Sequence, residues 1–449
     1  MTSATISKEW VDVADLRVGM FVHLDMGWMS HPFPLGSFKI LNAEQIATIR
    51  SLGLQRLRWS PTQSDAAPVV VVASTNGKTA PDTAAAAAEP DAVPTTITPV
   101  GIAAPDTPEA NARRQRRREL AAQRAAQQLC ERQFAEASRD CRALTELVSN
   151  KPQEARAQAE QLSKALVDKM LGDTELCIRL LSDAAGDKAA MHAMNVTVIS
   201  LLMGRTFGLS EADMLDLGVG AMLHDIGKID LPDRVRHRDE QFSGAELRFY
   251  EEHVAHGVGH ARKMGLSGGA TLVIAQHHEH ADGSGFPQRL NTDRMTAAAR
   301  IVSLVNRYDN LCNPHVASKA LTPHESLSLL FAQGKTKFDT AILGAFIRMM
   351  GVYPAGSTVQ LTDDRYAMVV GVNSTRPLKP RVLVHEPGVP RDEALVVDLE
   401  SCPGLGIRRS IKPLQLPVPS LEYLAPRPRV AYFFEAIELP EEDAVAARP

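Results

Sequence analysis

The spacing of hydrophobic and polar positions changes several times along this chain, and each change marks an element boundary. Near the start, Val11-Asp-Val-Ala-Asp-Leu-Arg-Val-Gly-Met-Phe-Val has short apolar alternations broken by Gly19, which predicts strands and a turn. Asn42-Ala-Glu-Gln-Ile-Ala-Thr-Ile-Arg-Ser-Leu-Gly53 has a helical period, with Asn42 as its cap and Gly53 as its stop. Further on, Cys130, Phe134, Ala137, Cys141, Leu144 and Val148 step by 4, 3, 4, 3 and 4, a coiled-coil-like stripe. Pro152 interrupts the helix, and Ala155, Ala159, Leu162, Leu166 and Met170 restart a stripe. From about 172 to 350 the period is helical throughout, with no strong strand pattern. Ser243-Gly-Ala-Glu246 is a capping box, Thr322-Pro-His-Glu325 opens another helix, and Ser210 caps the helix that leads to residue 224. After Pro354 short β-type runs take over at Thr358–Leu361, Tyr366–Val372, Arg381–His385 and Leu395–Leu399.

These changes predict a mainly α protein in five parts. They are a small α+β N-terminal domain (8–60), a disordered linker (61–107), a helical connector (108–171), an all-helical core (172–352) and a small β-rich C-terminal domain (353–440). The linker is rich in Ala, Pro and Thr, which bury too little apolar surface to offset ordering entropy. The stripe at 130–148 admits two readings, packing on the chain's own domain or homodimerisation. The basic run Arg113-Arg-Gln-Arg-Arg-Arg reads as a solvated helix face.

Composition narrows the function classes. With 49 basic and 53 acidic residues the net charge is −4, which argues against a nucleic-acid polymer or a membrane surface as the main partner. The five cysteines form no CxxC pair, no apolar run approaches a membrane span, and Met1–Trp10 has no signal-peptide core. The expected location is the cytoplasm.

Histidine placement points to chemistry. Nine of the 14 histidines fall between His192 and His280. They include Leu-His-Asp-Ile-Gly-Lys at 223–228, His253, and His-His-Glu-His-Ala-Asp-Gly-Ser-Gly-Phe-Pro at 277–287. Imidazole and carboxylate together hold divalent first-row metals in hydrolytic sites. Asp225 beside His224 suits a carboxylate that bridges two metals, and Lys228 suits a phosphate oxygen. The adjacent His277 and His278 suit two metals side by side rather than one. Asp282, Gly283 and Gly285 form a glycine-rich loop that brings backbone close to a ligand or shapes the pocket rim. His23 and His31, single histidines among aromatics, are expected to be structural. His237, His256, His260 and His280 are expected at the surface or behind the ligands.

At these residues the chain resembles the HD-GYP family of HD-superfamily phosphohydrolases, over about 185–350. His-Asp-Ile-Gly-Lys stands intact at 224–228, and Phe286 replaces the family's tyrosine in His-His-Glu…Asp-Gly-Ser-Gly-Tyr-Pro. Leu16-Arg-Val-Gly-Met-Phe-Val and His31-Pro-Phe resemble the small domain often found ahead of such modules. The resemblance implies a metal-dependent phosphodiesterase that hydrolyses the bacterial second messenger cyclic di-GMP, to the linear dinucleotide or to GMP. It implies iron or manganese as the metals, with His192, His224, Asp225, His253, His277, His278 and position 306 as ligands. Catalysis would rest on Asp225 and Lys228, and substrate on Lys228, Arg238, Asp282, Gly283 and Gly285; Arg238 stands where the family has a lysine.

Three departures shape the expectation. Lys188 replaces the glutamate of members that hold a third metal, so two metals are expected. Asn306, 28 residues after His278, replaces the first aspartate of an Asp-x-x-Asp pattern whose second member, Asp309, is kept and is expected to compensate in part. Asn313-Pro-His315 replaces the family's Arg-Pro-Tyr. The alternatives are a catalytically weak regulator that binds metal or nucleotide and acts through signalling partners, and an HD hydrolase acting on another nucleotide.

Overall fold

The computed structural model describes residues 9–26, 37–65, 107–171, 175–181, 187–334, 336–373 and 376–437. His31 and positions 66–106 of the expected linker lie outside them. The described residues divide into two compact units, one running to Asp25 and over Ser37–Arg118, the other from Glu119 onward.

The smaller unit carries β1 (Glu9–Asp12), β2 (Phe21–His23), β3 (Ser37–Lys39), α1 (Ala43–Ser51) and β4 (Arg56–Ser60). The strands form an antiparallel sheet in the order β1-β4-β2-β3. Asn42 caps α1 by accepting the Gln45 N–H, as its sequence position predicts. Val22, Ile40, Ile49 and Leu57 supply the core. His23 is structural here, held between the hydroxyls of Ser37 and Ser60 at 2.9 and 2.8 Å.

Two long helices follow, α2 (Pro108–Leu147) and α3 (Pro152–Met170), then strand β5 (Glu175–Leu180). The helical core contains α4 (Lys188–Thr206), α5 (Glu211–Leu223), α6 (Gly244–Met264), α7 (Gly268–Gln276), α8 (Ala297–Cys312), α9 (Pro323–Gln333) and α10 (Thr340–Met350). Their starts follow from caps. Ser210 accepts the Asp213 N–H, and Ser243 with Glu246 and Thr322 with Glu325 form reciprocal capping boxes. Gly265, at φ +71°, ends α6 in the left-handed region where glycine carries no Cβ penalty. No helix among the described residues is long and apolar enough to cross a membrane.

The C-terminal part adds β6 (Thr358–Leu361), β7 (Tyr366–Asn373), β8 (Arg381–Val384), β9 (Val396–Asp398), β10 (Ile407–Ser410), a short α11 (Val418–Leu424) and β11 (Tyr432–Ile437). One sheet runs β10-β6-β7-β5-β11, with β8 attached to β7 and β9 attached to β8. The sequence reading has no strand between 172 and 350, yet β5 lies there, paired antiparallel with both β7 and β11. Its alternation is short, and its two edges are satisfied only by partners far along the chain, Val372 opposite Ile178 and Tyr432 opposite Leu180. Helices and sheet share one hydrophobic core, from Leu166 and Val198 through Tyr308 to Val369 and Phe433. The boundary expected at 353 therefore does not separate two cores.

The stripe on α2 belongs to this same core. Cys130, Phe134, Ala137, Cys141 and Leu144 are buried, and the Phe134 ring meets Phe433 edge-on at 6.1 Å. Of the two readings of the stripe, packing on the chain's own domain is correct and the homodimer seam is not, because its apolar face is already covered. Burial pushes the thiols of Cys130, Cys141, Cys177 and Cys312 up to about 12, which keeps them unreactive.

Replacing Phe134 by alanine removes a buried ring and is expected to cost about 3–5 kcal/mol. Urea denaturation checks the loss, and sedimentation velocity of the folded variant is expected to match the parent.

Candidate metal centre

Four helices and two turns bring the site together. His192 comes from the first turns of α4. His224 follows the last residue of α5, and Asp225 starts a 3-10 turn over Ile226–Asp230. That turn lies directly on α6. A Cβ on Gly227 would stand 1.9 Å from the His253 carbonyl oxygen, so only glycine permits the approach that puts Asp225 beside His253. His277 and His278 follow the end of α7.

The loop after them is built to hold them. Glu279 is fully buried, and its carboxylate accepts the N–H groups of Gln288 and Leu290 at 2.7 and 2.8 Å. Its carbonyl accepts the Ser303 hydroxyl at 2.9 Å. Gly285 packs on this backbone so closely that a Cβ would lie 2.5 Å from the His278 oxygen. Phe286 donates its N–H to that oxygen at 3.2 Å and stacks on the His278 ring, with centroids 4.5 Å apart.

Hydrogen bonding at Nδ1 sets the tautomers. His224, His253 and His277 each donate Nδ1–H to the carbonyl three residues back, those of Ala221, Tyr250 and Ile274, at 2.7, 2.6 and 2.8 Å. His192 donates Nδ1–H to Asp309 Oδ2 at 2.6 Å. In the neutral rings every Nε2 is then an unshared electron pair. The Nε2 atoms of His192 and His224 lie 3.2 Å apart, and those of His253 and His277 lie 3.4 Å apart. Neither pair has a proton to share.

Asp225 stands between the two pairs. Oδ2 lies 3.7 and 3.5 Å from Nε2 of His192 and His224, and Oδ1 lies 3.6 and 3.5 Å from Nε2 of His253 and His277. His278 joins the second group. Asp225 Oδ1 and His278 Nε2 are both buried without a hydrogen-bond partner. Burial lowers the His224 pKa, takes His253 down to about 3 and holds His278 well below its ordinary value, so the rings stay neutral. Burial opposes the Asp225 charge, but Lys228 and the facing histidines outweigh it and keep the carboxyl ionised. Two groups of electron pairs around one buried carboxylate fit divalent first-row cations, because nothing else present satisfies them.

Most of the ligands read from the sequence meet here: His192, His224, Asp225, His253, His277 and His278. Lys228 donates to Asp225 Oδ2 at 2.6 Å and lies 5.5 Å from the Tyr250 ring centre, so in this state it serves the carboxylate. Asn306, Arg238, Gly283 and Gly285 line the cleft that opens from the centre. The Asn306 side-chain oxygen accepts from Asn310 Nδ2 at 2.5 Å.

Two expectations need correction. Asp309 does not stand in for the lost carboxylate at 306. It is fully buried, and besides His192 it accepts from Asn195 and Asn313, each at 2.8 Å, which turns it away from the electron-pair clusters and makes it the orienting partner of His192. Asp282 is not among the cleft-lining residues; its carboxylate accepts the Ser284 N–H at 2.9 Å and shapes its own loop. Sequence reasoning also missed Glu279, whose position directly after the paired histidines was the available signal, and Asn195. Asn195 bonds Asp309 and also both the Val430 carbonyl and the Tyr432 N–H, so strand β11 braces the centre. His260 is buried against Asp230 at 2.8 Å, outside either cluster.

Asp309→Ala is expected to weaken metal binding roughly 10- to 100-fold by releasing the His192 ring, as chelator competition reports. A pH effect follows in the metal-free protein. Unfolded histidines protonate near pH 6.5, whereas burial keeps His224, His253 and His278 neutral to lower pH. Below about pH 6.5 the unfolded chain therefore binds more protons, and stability falls as pH falls. Thermal melts of the chelated protein from pH 7.5 down to 5 are expected to show the midpoint dropping.

Comparison with known proteins agrees with this geometry. Residues 142–342 match the HD domain, and residues 10–159 match a domain of unknown function, DUF3391. Cyclic di-GMP phosphodiesterase PA4108 of Pseudomonas aeruginosa is 26% identical over 383 residues, covering 83% of this chain and 84% of that protein. The cyclic di-GMP phosphodiesterase response regulator RpfG of Xanthomonas campestris is 31% identical over 150 residues, 33% of this chain and 39% of that protein. The 3'3'-cGAMP-specific phosphodiesterase 3 of Vibrio cholerae is 26% identical over 172 residues, 38% of this chain and 37% of that protein. The HD-domain match contains every histidine and aspartate of both clusters, and residues 142–342 of this chain are an HD domain of the HD-GYP type.

Proposed function

We propose that this protein is a cyclic di-GMP phosphodiesterase working at a two-cation centre. The observation that carries the reading is Asp225, which turns one carboxylate oxygen to each of two histidine groups. His192 and His224 would hold one cation, His253, His277 and His278 the other, with Asp225 shared and Asn306 beside them. The resemblance to the HD-GYP family points to iron or manganese, and an imidazole-rich set with one shared carboxylate is compatible with divalent iron. When bound, such ions supply Lewis acidity that lowers the pKa of water and offsets charge on a phosphate.

The chain's own residues prepare the rest. Asp309 and three backbone carbonyls hold the imidazoles in the tautomer that presents Nε2. Burial disfavours a charged Lys228, but Asp225 and Tyr250 raise its pKa above the ordinary value, so a fixed ammonium stands at the cleft floor for a phosphate oxygen. Arg238 and Arg307 line the same cleft, and neither has an ion pair among the described residues. The cleft encloses about 1450 Å³, above the roughly 300–1,000 Å³ of a drug-sized pocket and suited to a dinucleotide. Cleavage of one ring ester yields the linear dinucleotide; a second cleavage yields GMP.

One observation favours a weaker relative of this activity. Asn306 is neutral where a carboxylate is expected, and its oxygen is already engaged by Asn310. A centre with one loosely held cation would act as a metal- or nucleotide-dependent regulator through signalling partners.

The deciding experiment is metal analysis of the purified protein, followed by incubation with cyclic di-GMP and with 3'3'-cGAMP and chromatography of the products. Hydrolysis of cyclic di-GMP that a chelator stops and Mn²⁺ or Fe²⁺ restores is the expected result. Absence of any cleavage at full metal occupancy would overturn the enzymatic reading. His224→Ala and Asp225→Ala are expected to lose both metal and hydrolysis while keeping the far-UV spectrum. Asn306→Asp is expected to raise metal occupancy, with activity following it; no change in either would mean that the site has adapted to asparagine.

A further inference from the structure

Among the imidazoles that line the cleft outside both metal clusters, His237 and His315 face each other. His237 comes from the loop between the 226–230 turn and α6, and His315 from the turn after α8. Their rings stack face to face, with centroids 4.0 Å apart and planes only 15° from parallel. Both residues are solvent-exposed, both line the cleft, and among the described residues neither ring nitrogen has a hydrogen bond.

Each ring sits on a braced segment. Arg236, the neighbour of His237, donates to the carbonyls of Lys228 and Leu231 at 3.2 and 3.0 Å. On the other side, Arg429 donates to the carbonyls of Pro314 and His315 at 3.4 and 3.5 Å, and the Asn313 side chain is bonded to Asp309 and to both backbone groups of Val430. The same contacts that orient His192 therefore also set the place of His315. Partial desolvation of the ring against the cleft and the facing His315 lower the His237 pKa to about 4, so at neutral pH this ring stacks without charge.

Arg238 follows His237 directly. Arg307 lines the cleft as well, burial and the like charge of Arg238 lower its pKa, and among the described residues neither guanidinium has a carboxylate partner. Flat stacked rings beside cations that have no ion pair among the described residues complement a base and its phosphate.

We propose that His237 and His315 form a nucleobase-stacking platform that takes one purine ring of the substrate, with Arg238 and Arg307 facing its phosphates. The inference rests on the reading of this cleft as a nucleotide phosphodiesterase site and adds the residues that would recognise the base. A purine face offers the same stacking surface that each imidazole now offers the other, whereas a ligand lacking a base gains nothing from the pair.

The test is calorimetric titration of the full-length, metal-loaded protein with 5′-GMP and with ribose 5-phosphate, which carries the phosphate and sugar without the base. The double variant His237→Ala, His315→Ala is expected to bind 5′-GMP on the order of 10- to 100-fold more weakly and ribose 5-phosphate as the parent does. His237→Phe with His315→Phe is expected to restore 5′-GMP binding, since stacking needs the ring and not the nitrogens. The proposal is overturned if the alanine variant binds 5′-GMP like the parent, if both ligands weaken together, or if the parent prefers neither ligand. Hydrolysis of cyclic di-GMP by the parent is read separately, so failure of the phosphodiesterase reading and failure of the platform are distinct results.

Discussion

Electrostatic incompleteness at Asp225 is the constraint on which this structure turns. Five imidazoles present unshared electron pairs toward one carboxylate in a buried setting, and hydrogen bonds at Nδ1 prevent four of them from turning a proton inward. Left alone, such an arrangement is repulsive in a medium of low dielectric. Lys228 relieves part of it from one side, through Asp225 Oδ2, and leaves Oδ1 without a partner. The fold thus carries a site whose own groups do not balance and which divalent cations complete.

Holding that arrangement occupies much of the surrounding structure. Gly227 lets a turn touch α6, Glu279 ties the loop after the paired histidines, and Phe286 covers His278. From the far end of the chain, Val430 and Tyr432 reach the centre through Asn195, Asn313 and Asp309. The C-terminal strands are therefore part of the support for His192 rather than an appendage. Their hydrophobic residues are continuous with the helical core, and β5 is threaded between β7 and β11.

Around the centre the cleft changes character. Its floor is histidine and carboxylate, and its wall carries Arg238 and Arg307, without an ion pair among the described residues, and a stacked pair of imidazoles. This division suits a ligand whose reactive phosphate goes to the floor while its bases and other phosphates lie along the wall. It also gives Asn306 a particular meaning, because that residue stands among groups that otherwise combine charge with soft nitrogen donors.

Much of this was legible in the chain itself. The caps at Ser210, Ser243 and Thr322, the stop at Gly265 and the strands from Thr358 onward follow from local chemistry, since propensity and capping act over a few residues. The six histidine and aspartate residues of the two clusters were legible because adjacency and the His-Asp-Ile-Gly-Lys run restrict what those residues can do. Three things were not. The stripe on α2 has the same spacing whether it faces a second copy or its own core, and only the arrival of Phe433 decides between them. Strand β5 is too short to declare itself until β7 and β11 pair with it. Asp309, the retained second aspartate expected to compensate for Asn306, is instead an orienting group, because Asn195 and Asn313, from 114 residues before it and 4 after it, claim the carboxylate oxygen that His192 leaves. Sequence determines which donors and acceptors exist and which local turns they favour; the direction in which a buried carboxylate points is decided by partners that only tertiary packing brings within hydrogen-bond range.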